Sequence, residues 1–303
     1  MYERQALVSI DHPAVIKCYA AFQDEFHLYI VTEYCPEGDL YDCIHQVGPM
    51  LASSASFFGA ELLSILEHLH IVAKIVHRDV KPENIMLSLG HLKLIDFGSA
   101  IPLLLENGDK DDDEGFAGTP EYCSPELLNE NSQSATCDIW AFGCVLFHLV
   151  SGRGPFGDGL NDYLTFQQII TNEYTWSEGV EETAKSLVDA ILKLEPETRL
   201  GCHEPSSVCH KEIMAHEFFK DIDWGSLHTA DRGRNLNPNP NPNRIPCSKC
   251  NSDPFKGGVD LKRNMNVSHL EGELDSISDL NQVALHVSLD EAFERAGSSE
   301  EDL

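Results

Sequence analysis

The sequence predicts an α+β fold: a small strand-bearing segment over residues 1–35, a larger and mostly helical body over 36–220, and a tail over 221–303. Three observations carry that prediction. Apolar residues recur at helical spacing over 52–72, where Phe57, Phe58, Leu62, Leu63, Leu66 and Leu69 fall on a common face. Two runs of strand length, 14–22 and 26–34, come before it, parted by Gln23-Asp24-Glu25. Beyond residue 220 the periodicity fades, and the Asn-Pro alternation from Asn235 to Asn243 excludes helix and central strand, marking a linker.

Residues 3–10 read as a helix with Ala6, Leu7 and Ile10 on one side, and His12-Pro13 ends it because the residue before a proline is driven out of helical geometry. After the two strands, Pro36-Glu37-Gly38 makes a turn and Asp39 is placed to cap a helix running through Ile44. The stretch 75–98 reads as two short strand pairs around a loop, and helices follow over 127–129, 134–151, 162–171, 183–194 and 210–219. The tail, rich in Ser, Asn, Asp, Glu and Gly, is expected to be a disordered acidic segment whose one structured piece is a short amphipathic helix through Leu280, Val283, Leu285 and Val287.

Charge is the one unusual feature of the composition. Fifty acidic against 21 basic residues give a net charge of −29, and only 15 acidic and 8 basic residues lie in 221–303, so the acidity belongs to the expected folded part. Such a field repels nucleic acid and anionic membrane and favours basic peptides, and it equally serves as a solvated surface. Ten cysteines, several in apolar runs (Cys18, Cys35, Cys137, Cys144), suit a reducing compartment, so the expected location is the cytoplasm, with the nucleus as the alternative. The run Ala141–Val150 is too short to span a bilayer, and no transmembrane segment is expected. Cys247-x-x-Cys250 makes half of a tetrahedral zinc site, which Cys202-His203 or Cys209-His210 could complete, but it is read as free thiols, and Asn266-Val267-Ser268 fits a glycosylation acceptor that is inert without a secretory signal.

The chemistry lies in His77-Arg78-Asp79-Val80-Lys81-Pro82-Glu83-Asn84, followed after a strand-like run by Asp96-Phe97-Gly98. These strings, in this order between apolar runs, resemble the catalytic loop and metal-binding turn of eukaryotic protein kinases, and Lys81 is the serine/threonine type. The resemblance covers residues 3–220. Gly118-Thr119-Pro120-Glu121-Tyr122 with Ser124-Pro125-Glu126 is similar to the end of an activation segment, Asp138-Ile139-Trp140 to the buried helix behind the catalytic loop, and Arg199 to the arginine that pairs with Glu126. Glu3-Arg4, Asp11-His12-Pro13, Phe22-Gln23-Asp24, Ser124-Pro125-Glu126 and the run Ile222–His228 together resemble the phosphoinositide-dependent kinases of the AGC group.

The resemblance implies a kinase fold with residues 1–35 as part of the small lobe and hinge and 36–220 as the large lobe. It implies ATP and magnesium as cofactors, Asp79, Lys81, Asn84 and Asp96 as catalytic residues, and Asn84 and Asp96 as metal ligands. Thr32 falls at the gatekeeper position, the backbone of Glu33 and Cys35 would bond adenine, Met86 would floor it, and Asp39 would lie near the ribose. Leu7, Cys18, His77 and Phe97 would stack as a spine. The implied partners are a protein substrate, basic around its acceptor Ser or Thr, and a regulatory protein.

Two departures matter. No glycine-rich loop or lysine strand stands before Glu3, and Ala14-Val15-Ile16-Lys17 reads as a strand with a surface lysine. The expectation is therefore a piece of a longer kinase that binds ATP weakly as written, with a catalytically inactive scaffold as the alternative. The run Asp109–Glu114 sits beside Gly115, where such enzymes carry a phosphorylated residue that pairs with Arg78; its carboxylates would either replace that phosphate or form an exposed acidic loop.

Overall fold

The computed structural model describes residues 2–23, 27–103, 119–130, 134–157, 159–203, 208–229 and 283–286. The chain divides into two compact units, one formed by 1–16 with 37–242 and the other by 17–36 with 243–303. The fold is the expected α+β type.

The larger unit opens with α1 (Tyr2–Ser9), which buries Ala6 and Leu7. Residues 14–16 do not extend the following strand as expected. They bridge to β5 (His91–Leu94) instead: Val15 lies opposite Leu94, the Leu94 amide donates to Ala14 O at 2.9 Å, and the Ile16 amide donates to Leu94 O at 3.0 Å. The helix α2 (Leu40–Val47) is capped by the Asp39 carboxylate, which accepts from the Asp42 amide at 2.7 Å and satisfies a donor that the helix itself cannot.

At the core lie α3 (Ala52–Glu67) and α5 (Ala135–Ser151), with every residue of α5 buried. Gly59 permits this close approach, and Gly143 lets the chain at Ile191 and Leu192 pack closely on the other side of α5. A Cβ on Gly59 would lie 2.6 Å from Leu146 Cδ2, and one on Gly143 would lie 2.7 Å from Ile191 Cγ2. Ser134 caps α5 by accepting from the Thr136 amide, and Gly152 closes it in the left-handed region at φ 74°. The expected helix through residue 72 is α3 plus a π-helical turn, His68–Ala73. Together, Ala52–Ala73 is long and apolar enough to cross a membrane, which no segment was expected to be, but 72% of the apolar 18-residue window within it is buried inside the protein, as in a core helix.

Of the two strand pairs expected within 75–98, one forms there, β4 (Ile85–Ser88) with β5, whereas β3 (Ile75–Val76) pairs with β6 (Ile101–Pro102) beyond that stretch. They are followed along the chain by α4 (Pro125–Glu130), α6 (Asp162–Thr171), α7 (Glu182–Ile191) and α8 (His210–Met214), with a 3₁₀ turn at Glu217–Phe219.

The second unit is an antiparallel sheet of order β1 (Cys18–Gln23), β2 (Leu28–Glu33), β7 (Val283–His286). Lys17 is exposed, its ammonium 5.5 Å from the Tyr19 ring centre, as expected for a surface lysine. Where a short helix through Leu280, Val283, Leu285 and Val287 is expected, the described residues Val283–His286 form a strand instead. Val283, Leu285 and Val287 recur with period two as well as fitting a helical face, and Ile30 pairs with His286 and Glu33 with Val283. The Asn-Pro stretch, Cys247, Cys250 and Asn266 lie outside the described residues.

Candidate active site

The site is built around the backbone of His77 and Arg78. The chain enters it from Lys74, which sits in the left-handed region at φ 56°, through the buried β3 strand. Arg78 is left-handed as well, at φ 69°. What holds it there is the buried Asp138 carboxylate, in the first turn of α5. Oδ2 accepts from the His77 amide at 2.8 Å and from His70 Nε2 at 2.8 Å, and Oδ1 accepts from the Arg78 amide at 2.9 Å. Burial alone would raise the pKa of this carboxyl. The hydrogen bond from His70, with that from the His77 amide, outweighs this and holds it below the usual carboxylate range.

His77 is fully buried, and both its nitrogens are committed: Nε2 donates to Ile95 O at 3.2 Å, and Nδ1 accepts from the Asp79 amide at 3.3 Å. Its ring meets Phe97 edge-on at 4.9 Å, so these two expected spine residues do stack. The Arg78 guanidinium donates through Nε to Ser99 O.

This scaffold presents Asp79. Its Oδ2 takes the Lys81 ammonium at 2.8 Å and the Asn84 Nδ2 amide at 2.8 Å, while Oδ1 accepts from the Thr119 amide at 3.2 Å and the Thr119 hydroxyl at 3.0 Å. Lys81 Nζ in turn donates to Thr119 Oγ1 at 2.5 Å, closing a ring of Asp79, Lys81 and Thr119. Asn84 Nδ2 also donates to Asp79 O at 2.9 Å, leaving its side-chain carbonyl as the atom able to serve a cation. Glu83, next to Asn84, has its pKa raised, chiefly by burial. Thr119 was not singled out by sequence reasoning. The only signal for it was its place in the activation-segment string, which shows nothing of a contact made across forty positions.

Asp96 follows β5 and is left-handed at φ 59°; its Oδ1 accepts from the Gly98 amide at 3.1 Å, an Asx-type turn. The Ile95 amide beside it donates to Asn84 O at 2.9 Å, so the backbone carrying Asp96 is fastened to the backbone carrying Asn84. Among the described residues no group of three or more His, Cys, Asp or Glu side chains could hold a metal alone. The Asn84 carbonyl and the Asp96 carboxylate fit magnesium by the chemistry of the donor set: hard oxygens, with the remaining ligands left to phosphates and water.

Of the expected nucleotide-binding residues, Asp39 and Met86 lie together in the larger unit as an antiparallel bridge, and the Leu87 amide donates to Gly38 O at 2.8 Å. Thr32 and Glu33 belong to β2 of the other unit, with Cys35 just after it; there the Glu33 amide donates to Lys17 O at 2.9 Å, and Glu33 Oε1 accepts from the Lys17 amide at 2.9 Å.

Behind the site, Glu126 of α4 and Arg199 form a bidentate pair, with both N···O distances 2.6 Å and the two residues 6% and 1% exposed. Arg199 also donates to Thr136 O, Lys193 O and Leu194 O and lies 5.1 Å from the Trp140 ring centre. Gly118 and the acidic run 109–114 lie outside the described residues.

Comparison with known proteins gives one consistent picture. Residues 1–219 match the protein kinase domain. The chain is 42% identical over 228 residues to 3-phosphoinositide-dependent protein kinase B of Dictyostelium discoideum, covering 74% of this chain and 24% of that protein. It is 40% identical over 227 residues to human 3-phosphoinositide-dependent protein kinase 1, covering 75% of this chain and 40% of that protein. It is 37% identical over 221 residues to serine/threonine-protein kinase PKH1 of Saccharomyces cerevisiae, covering 69% of this chain and 28% of that protein. The chain thus spans between about a quarter and two-fifths of the lengths of these relatives.

Proposed function

This chain belongs to the protein kinase family, and from that premise we propose that its site transfers the terminal phosphoryl group of ATP to a serine or threonine hydroxyl of a protein. The observation that carries the proposal is the Asp79 carboxylate, fastened by Lys81, Asn84 and Thr119 while His77 and Asp138 fix the loop beneath it. Phosphoryl transfer has a loose transition state, so positioning and charge neutralisation dominate over covalent help.

In the proposed step Asp79 accepts the proton of the substrate hydroxyl and aims its oxygen in line with the terminal phosphorus. The new O–P bond forms as the bond to the bridging oxygen breaks, and ADP leaves with that electron pair. Lys81, already within reach of Asp79 and Thr119, neutralises charge on the moving group. Asn84 and Asp96 would hold magnesium, which supplies charge neutralisation on the phosphates when bound. Thr32, Glu33, Cys35, Asp39 and Met86 are proposed to hold the nucleoside. The net charge of −29 supports a substrate that is basic around its acceptor. The names of the relatives support a link to phosphoinositides; a regulatory protein partner and a place in the cytoplasm or nucleus are proposed beside it, the latter on the cysteines in apolar runs.

The test is phosphate incorporation into a basic serine peptide by the protein as the cell makes it, alongside Asp79→Asn. The variant keeps the shape and the acceptor oxygen but not the base, and the expected loss is at least a hundredfold in kcat with nucleotide affinity retained, the range for a general base in place. More than a tenth of the activity left in the variant removes Asp79 from the role, and an inactive natural protein with unimpaired folding removes the activity.

A further inference from the structure

Three buried side chains behind the catalytic loop form a relay that the phosphoryl-transfer roles do not use. His210 opens α8, His70 sits in the π-helical turn after α3, and Asp138 lies in the first turn of α5; they are 3%, 2% and 1% exposed. His210 Nε2 lies 3.0 Å from His70 Nδ1, and His70 Nε2 lies 2.8 Å from Asp138 Oδ2. The rings of the two histidines are 5.1 Å apart, tilted by 44°, so the contact is nitrogen to nitrogen rather than stacking.

The proton count follows from the groups themselves. Ionised Asp138 can only accept, so His70 must carry its proton on Nε2. A neutral His70 then has a bare Nδ1, which needs a donor in a site closed to water. His210 Nε2 is the atom facing it. Burial, followed by the neighbouring His70, drives the His210 pKa down to about 3, which leaves His210 neutral with one N–H to give. Which nitrogen of an imidazole holds the proton is set by the bond that the other nitrogen makes.

We propose that His210 is a positioning residue for the catalytic loop: by donating from Nε2 to His70 Nδ1 it fixes the His70 tautomer that holds Asp138 against the backbone amides of His77 and Arg78. Without that donor, His70 can move its proton to Nδ1, which turns a lone pair towards the carboxylate. Asp138 then loses one of its three partners, and the left-handed Arg78 and the Asp79 that follows lose their fixed footing. The consequence for turnover rests on the proposed phosphoryl transfer; the tautomer and the loop's hydrogen bonds do not.

The experiment compares the natural protein with His210→Gln, whose amide can still donate, and His210→Phe, which fills similar space without a donor. Nitrogen–proton correlation of the histidine rings reads the tautomer, and amide exchange reads the bonds to Asp138. In the natural protein at neutral pH, His70 should show a protonated Nε2 and a bare Nδ1. His210→Phe should speed exchange at the His77 and Arg78 amides by about tenfold while amides within α5 keep their rates, and should lower kcat by about tenfold at unchanged KM, the scale of a small misplacement of reacting groups. His210→Gln should restore both readouts to within about threefold, since the donor that sets the tautomer is back.

Protons on both His70 nitrogens in the natural protein overturn the proposal without any variant. So does His210→Phe with unchanged amide exchange. A protein without kinase activity whose ring and amide signals behave as stated refutes the phosphoryl-transfer reading and leaves the relay standing. Faster amide exchange with kcat intact refutes the positioning role.

Discussion

Arg199→Met tests whether the larger unit depends on its buried ion pair. The guanidinium makes two 2.6 Å bonds to Glu126 and further bonds of 2.9, 3.1 and 3.3 Å to the carbonyls of Lys193, Thr136 and Leu194. Methionine fills the space beside Trp140 but, among the described residues, leaves Glu126, 6% exposed, with only the Thr136 hydroxyl at 3.2 Å and the Cys137 thiol at 3.6 Å. Removing one partner of such a pair costs about 3–5 kcal/mol, because a charge stays buried without its counterion. The orphaned carbonyls add to this without simple additivity. With a urea slope of about 2–3 kcal/mol per molar, the midpoint should fall by about 1–2 M. Urea titration followed by tryptophan fluorescence measures this, since Trp140 lies against the substituted side chain. The double variant Glu126→Gln/Arg199→Met, with no charge left behind, should be more stable than Arg199→Met alone. A loss below about 1 kcal/mol, or a double variant no better than the worse single one, refutes the argument that an uncompensated charge is the cause.

Asp96→Asn can keep the left-handed turn, which asparagine tolerates, but weakens the proposed magnesium site; calorimetry should show nucleotide binding that no longer strengthens when magnesium is added. Gly143→Ala puts a methyl 2.7 Å from Ile191 Cγ2 and 2.9 Å from Leu192 Cδ2 in the packed core, and a thermal melt should show a loss of about 1–3 kcal/mol. His148 and His210, with pKa values held down to about 4 and about 3 mainly by burial, refuse protons that the unfolded chain accepts below its ordinary value of 6.5. Folding stability should therefore be unaffected by these two above pH 6.5 and fall as the pH drops from there towards 4, by about 1.4 kcal/mol per pH unit for each, as read from urea midpoints across that range.

The parts legible in the sequence are those set by local chemistry. Asp39 and Ser134 were readable as helix starts because a short side-chain acceptor before an apolar run meets the unpaired amides of a first turn. Long apolar periodicities gave α3 and α5. The parts missed depend on partners far along the chain. Residues 14–16 have the same strand character as Cys18–Gln23, and only the presence of Leu94 decides that they pair elsewhere. Val283, Leu285 and Val287 satisfy both a helical and an alternating pattern over so few residues, and pairing with β2 selects the strand. The π-helical turn leaves no trace in composition, and the contact between His70 and His210 spans 140 positions.

The backbone explains why the site needs so much support. Four of the five non-glycine residues with positive φ among those described, Lys74, Arg78, Leu89 and Asp96, fall between residues 74 and 96. Left-handed geometry is costly for residues other than glycine, by about 1–3 kcal/mol at sparsely populated positions. Glycine would avoid that cost at 78 and 96, but it would remove the guanidinium that reaches Ser99 and the carboxylate that forms the turn at Gly98. The fold meets the cost with bonds that leave the loop few alternatives. Asp138 holds the amides of His77 and Arg78, His77 joins the amide of Asp79 to the carbonyl of Ile95, and the amide of Ile95 bonds back to Asn84. Each bond is worth about 1 kcal/mol net, or about 1.5–3 where a carboxylate accepts, so the set matches or exceeds the strain it opposes. The Asp79 carboxylate, proposed as the base, therefore has its orientation set before a substrate arrives, which is where a reaction governed by positioning gains most.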